Sequence, residues 1–263
     1  SFDLSPAGGP VVVPWTPWTD RPEDRVSGRW QWTQSFLARL TLQASAKNKF
    51  NVTLDTQEAC NCGSRSSSQA HAESFSYRFD PNRLYQLAYT GTLSSRVLVE
   101  AGVGATISHW HQFRMPYVTE DHVMVRDYGT GQAWGARETY IGHPNDSDRF
   151  TQRASVAYVT GTHSAKFGIH VEQGVLNTWT EGQSHDTSYV FIFGTPIQVN
   201  QFATPYLLQG RFTETGIYAQ DQWILDRLTL NIGVRMDLFN GSVPAQSIAA
   251  TGSGWIPARS FDK

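Results

Sequence analysis

The chain lacks any long apolar run. No stretch of about 18 apolar residues occurs, so no transmembrane helix is encoded. Charge is scarce at 17%, and its net value is only -2, so nothing in it suits a nucleic-acid backbone. Helical periodicity appears nowhere, which excludes an all-helical fold. The N-terminus has no basic segment followed by an apolar core, and so is not a signal peptide. It also begins without Met, so a mature form or a piece of a larger protein is expected. Cysteine is limited to Cys60 and Cys62. They read as a local disulfide or as two free thiols in a loop, since a metal site would need two further ligands. No Gly-rich phosphate loop, G-x-S-x-G or H-E-x-x-H occurs, and no catalytic constellation is found.

What the chain has instead is alternation. In 228–239 every second residue is apolar: Leu228, Leu230, Ile232, Val234, Met236 and Leu238. Between them stand Thr229, Asn231, Gly233, Arg235 and Asp237. The same period of two marks 36–44, 50–57, 83–93, 96–106, 150–160, 164–172 and 212–225, so eight strands are expected. Strands of about twelve residues are twice the usual length. At about 3.3 Å per residue and a tilt near 45° they would cross roughly 28 Å, close to the apolar band of outer-membrane barrels.

The connections alternate short and long. Short ones fall near Lys47-Asn48, Ser94-Ser95, Gly161-Thr162-His163 and Asp226-Arg227. Long ones cover 58–82, 107–149, 175–211 and 240 onward, with room for an extra hairpin at 188–200. One tight end and one loopy end is the layout of an antiparallel up-and-down transmembrane β-barrel. Leu228, Leu230, Ile232, Val234 and Met236 would then face lipid. Arg96, Glu100, Lys166, His170, Glu172, Arg235 and Asp237 would line the lumen wall, where charge is tolerated. Gly102, Gly104, Gly168 and Gly233 on that face would admit close neighbours. Trp30, Trp32, Phe50, Tyr89, Phe150, Trp223 and Phe239 fit interfacial girdles. His109 and His111, two apart in the longest loop, are the only metal-ligand candidates, and a solvated pair is the plainer reading.

The run GIYAQDQWILDRLTLNIGVRMDLFN (216–240), then VPAQ (243–246) and GSGWIPARSF (252–261), resembles TonB-dependent outer-membrane receptors. TGTHSAKFGIHVEQG (160–174) resembles them too; the subgroup most similar is the Oar-like family, which ASAKNKFNVTLDTQEACNC (44–62) also resembles. The resemblance covers about 28 to 263, with 1–27 as a leading extended segment. It implies a barrel of about 22 strands with a plug domain inside, energised by TonB. It also implies residence in the bacterial outer membrane, contact with its lipid, and an unknown small-molecule, peptide or glycan ligand. No plug, TonB-contacting segment or terminal aromatic strand is recognisable, so about eight strands of a larger barrel are expected. With no catalytic constellation in the chain, no cofactor and no enzyme activity are expected. The rival readings are a complete eight-stranded barrel serving as an adhesin or anchor, an outer-membrane enzyme, and a soluble β-sandwich that binds glycans.

Overall fold

A computed structural model describes residues 30–64, 75–116, 118–250 and 257–261. The segment 1–27 lies outside the described residues. Eight long strands form one antiparallel sheet. They are β1 (Trp30–Ser45), β2 (Asn48–Ser64), β3 (Phe75–Thr92), β4 (Val97–Arg114), β7 (Thr139–Val159), β8 (His163–Gly182), β11 (Tyr206–Leu225) and β12 (Leu228–Ser242). Each pairs with the next in that order, and among the described residues no strand pairs with the outer edge of β1 or β12, so the barrel is not closed. An open sheet disfavours the complete eight-stranded barrel. A second sheet of four short strands runs β10-β9-β5-β6. Its members are β5 (Met124–Asp127), β6 (Gln132–Trp134), β9 (Thr187–Ile192) and β10 (Thr195–Gln201). The strands β13 (Gln246–Ile248) and β14 (Arg259–Phe261) make a third, two-stranded sheet.

Local chemistry explains the hairpins. Asp226 and Arg227 are the two residues between β11 and β12, and Asp226 takes φ 46°, the left-handed conformation that Asp tolerates. From there Leu225 pairs with Leu228 and the register runs unbroken to Arg211 and Ser242. His163 belongs to β8 and not to its turn.

The long strands measure 15 to 21 residues, well beyond the expected twelve. Much of what reads as loop in the sequence is strand. β2 continues to Ser64, β4 to Arg114 and β8 to Gly182. In these extensions both faces carry polar residues, so the backbone ladder persists where alternation has stopped. Cys60, Cys62, His109 and His111 therefore sit on strands, not in loops.

Registers also show how the sheet leans. One hydrogen-bonded row joins Leu42, Phe50, Tyr89, Ala101, Ala154, Ile169, Ile217 and Met236. On β1 this row is near the lower edge of the apolar series. On β12 the series continues eight residues further, to Leu228. Eight residues rise about 26 Å, while seven strand steps span about 34 Å. The apolar band therefore runs oblique to the rows, and strands crossing a flat band would tilt roughly 35–40°, as in transmembrane barrels. At that tilt Leu228 to Leu238 covers about 26 Å, the height of the barrel's apolar band.

Burial in the long sheet is inverted relative to a soluble protein. Its apolar side chains are exposed: Val234 by 69%, Phe36 by 65% and Ile232 by 63%. In the spanning part, buried positions such as Thr53 and Ser155 are polar. A soluble sandwich would stack a second sheet on the apolar face, and none of the described residues does so. The buried apolar cluster of Val125, Ala136, Tyr140 and Val190 lies in and beside the small sheet.

Candidate functional site: the polar wall and the external cap

Period two and the registers assign every side chain of the long strands to one of two faces. Glu100, Lys166, His170, Glu172, Arg235 and Asp237 share the polar face. Arg96 lies just before β4, in the β3–β4 turn, where its carbonyl accepts from Val159 N–H at 2.8 Å. Phe239 also falls on the polar face, beside Phe212 with ring centroids 6.0 Å apart, and so leaves the girdle. Leu228, Leu230, Ile232, Val234 and Met236 occupy the opposite face.

The charges pair mostly across strands. Lys166 Nζ donates to Glu100 Oε2 at 2.8 Å, reaching across β7. Arg149 lies 3.1 Å from Glu172, and His170 lies 3.7 Å from the same carboxylate. Arg235 Nε donates to both oxygens of Asp237, at 2.8 and 2.9 Å. Glycines make room for neighbours on the same wall. A side chain at Gly102 would meet Arg153 Nε at 3.0 Å, and one at Gly104 would meet Thr151 Oγ1 at 2.9 Å. The Tyr218 ring occupies the space over Gly168. Between β1 and β8 the wall carries an open concavity of about 530 Å³ lined by Arg39, Thr53, Gln86, Gly104, Arg153 and His170, among others.

Above the apolar band the other face becomes polar. His109 Nε2 lies 3.1 Å from Asp148 and 3.6 Å from Asp146. Asn177 donates to Asp146 at 3.0 Å, and Arg211 donates to Asn177 at 3.1 Å. His111 is only 7% exposed and packs against His143 at 3.8 Å. Burial, then His143 and Arg78, depress its pKa to about 4, with Asp80 opposing. The two candidates thus enter different clusters. Among the described residues no three His, Cys, Asp or Glu side chains are grouped to hold a metal. Cys60 and Cys62 are joined as a disulfide between neighbouring positions on one face of β2, where both are buried.

The long connections all leave the sheet at the end opposite the tight turns, since the sheet is a meander. Two of them build the four-stranded cap. The hairpin read at 188–200 is present as β9–β10. Its partner strand β5 was not legible, because β5 comes from another connection and pairs with β9 in parallel. Asp127 ties the two together. Its carboxylate accepts from the backbone N–H groups of Gly129, Thr130, Phe193 and Gly194, at 2.7 to 3.1 Å. Desolvation opposes the charge, yet the four donors win and hold the carboxyl below the ordinary aspartate range. The DYGTG run (127–131) carried a turn signal for this. Arg114, at the end of β4, ties the upper ends of the wall strands together. It donates to the Gly182 carbonyl at 2.6 Å and to Gln183 Oε1 at 2.7 Å, over the Tyr140 ring at 4.8 Å.

Residues 26–250 match the family model of the outer membrane beta barrel domain. Among solved structures, the siderophore receptor PiuA from Acinetobacter baumannii is similar in fold. The TM-score is 0.52 at 12% identity, covering 88% of this chain and 38% of that receptor. The outer membrane transporter YddB from Escherichia coli gives a TM-score of 0.46 at 15% identity, covering 81% of this chain and 28% of that one. No curated protein matches. The sheet, the inverted burial and the family match agree: the chain belongs to the outer membrane β-barrel domain family, and its place is the bacterial outer membrane.

Proposed function

We propose that this chain is part of the wall of a TonB-dependent, Oar-like receptor that captures a ligand at its outer end and admits it through the lumen. The observation that carries this reading is the pairing of one exposed apolar face with one polar face that carries an open hollow, beside a second, four-stranded sheet. In this reading the exposed apolar face meets lipid. Arg39, Glu100, Lys166, His170, Glu172, Arg235 and Asp237 face the lumen. The cap, whose turns Asp127 holds, stands outside the cell and meets the ligand first. A passive anchor has no need of a polar wall with an open hollow, because small closed barrels fill their interior with side chains. The siderophore receptor of similar fold supports the receptor class. TonB and a plug domain follow from the resemblance of 216–240 and 160–174 to that family.

Topology and energisation are tested together on intact cells that express the full-length protein. Phe193 is 75% exposed at the cap tip, and Asp226 sits in a tight turn. A membrane-impermeant maleimide should label Phe193→Cys and spare Asp226→Cys. The full-length protein should also bind the C-terminal domain of TonB. Labelling at the turn and not at the cap would reverse the orientation. Absence of TonB binding would leave a passive barrel.

A further inference from the structure

We infer that the polar wall carries a binding site for a small organic polyanion, with Arg39 and Arg153 as its two cationic contacts. This rests on the receptor reading and names a substrate class for it. Two adjacent rows build the site. One contains Arg39, Thr53, Gln86, Gly104 and Thr151. The other contains Thr41, Asn51, Ala88, Gly102, Arg153 and His170. These residues line one hollow of about 530 Å³, within the range of small-molecule sites.

The charge balance selects the ligand. Lys166, Arg149 and Arg235 on this face are each matched by a carboxylate. Arg39 and Arg153 form no ion pair among the described residues, and no carboxylate lines the hollow. The field of Arg153 reaches Glu100, but that carboxylate is already bonded to Lys166 at 2.8 Å and to Ser155 at 3.3 Å. Glu172 is held by Arg149. Asp55, one row above Arg39, accepts from Gln57 on one oxygen and has no hydrogen-bond partner on the other, and Glu214 stands in the row of Arg39 beyond Glu172, but neither lines the hollow. Two cations thus line a polar hollow that no carboxylate lines, which attracts anions.

The glycines make the site concave. Without a side chain at Gly102, the Arg153 guanidinium lies down on the strand as a floor. Arg39 stands on β1 and Arg153 on β7, four strand steps or about 19 Å of backbone apart. A ligand that engages both needs at least two acidic groups. Gln86 and Thr53 add uncharged hydrogen-bonding groups along the floor. Guanidinium groups bind carboxylates by paired N–H donation, so a polycarboxylate fits better than a single-charged solute.

The test is calorimetric titration of citrate into the full-length protein in detergent at low ionic strength. The expected result is one site. Arg39→Gln and Arg153→Gln should each weaken it about tenfold, and the double variant should abolish it. Lys47→Gln, which removes a cation of the β1–β2 turn outside the hollow and frees no carboxylate among the described residues, should leave binding unchanged. Sucrose should not bind. Folding of each variant is checked by heat-modified gel mobility. Citrate ignored by folded wild-type protein would overturn the assignment, including the case in which a polypeptide segment fills the hollow. So would equal losses in Lys47→Gln and Arg153→Gln, which would mean diffuse attraction and no site. The titration needs no energy source, so its failure leaves TonB-driven uptake standing, and failure of TonB binding leaves the site standing.

Discussion

Arginine scanning down β12 gives a depth profile that only a bilayer can produce. Leu228, Ile232 and Leu238 share the apolar face, with exposures of 52%, 63% and 58%. At a tilt of roughly 35–40°, Ile232 lies about 10 Å above Leu228, and Leu238 about 26 Å above it. The apolar band is about 25 Å tall, so Ile232 is near its middle and the other two are at its edges. Ile232→Arg should cost about 2–4 kcal/mol, while Leu228→Arg and Leu238→Arg should each cost about 0–1 kcal/mol. Asn231→Arg, on the polar face at nearly the same depth, should cost little. The measurement is urea unfolding of the full-length protein in phospholipid vesicles, followed by tryptophan fluorescence. A soluble sheet that buried this face would penalise all three outer sites without regard to depth. Equal costs at Leu228, Ile232 and Leu238, or a cost at Asn231 as large as at Ile232, would refute the lipid-facing assignment.

Three further outcomes are expected. Asp127→Asn leaves backbone donors of the cap turns poorly matched and should weaken the cap by about 1–3 kcal/mol. Amide exchange at Gly129, Thr130, Phe193 and Gly194 should rise while the wall strands stay protected; unchanged exchange would remove Asp127 from its organising role. His111 is held at about 4 against an ordinary value of 6.5. Below pH 6.5 the unfolded chain gains a proton that the folded chain refuses until about pH 4. Stability should therefore fall by about 2 kcal/mol between those values and stay flat above them. His111→Phe should abolish that slope in urea midpoints measured against pH, and a slope kept by the variant would assign it elsewhere. Lys166→Met breaks a partly exposed pair with Glu100 and should cost no more than about 1 kcal/mol in the same unfolding assay. A loss of several kcal/mol would show that the pair is far less screened than its exposure implies.

Particular elements show what could be read in advance. Leu228 to Leu238 fixed their face, strand and hairpin partner from sequence, because side-chain alternation is a property of the extended backbone itself. Asp226-Arg227 marked the turn for the same local reason. The upper parts of β2, β4 and β8 were invisible, because a strand with polar residues on both faces has no alternation to detect. Aromatic Phe239 looked like girdle until its parity placed it with Arg235 and Asp237.

The sequence by itself therefore determined an all-β meander with one apolar face, one polar face, and long connections at one end. Only the tertiary structure decided which polar groups meet. Lys166 finds Glu100 66 positions away, and Asp127 binds the Phe193 amide at the same separation. His109 reaches Asp146 and Asp148 on the neighbouring strand β7. Arg39 and Arg153 come to line one hollow only because four strand pairings bring β1 and β7 to it. Alternation repeats every two residues and needs no partner, whereas these contacts depend on register between distant strands, which no local pattern encodes.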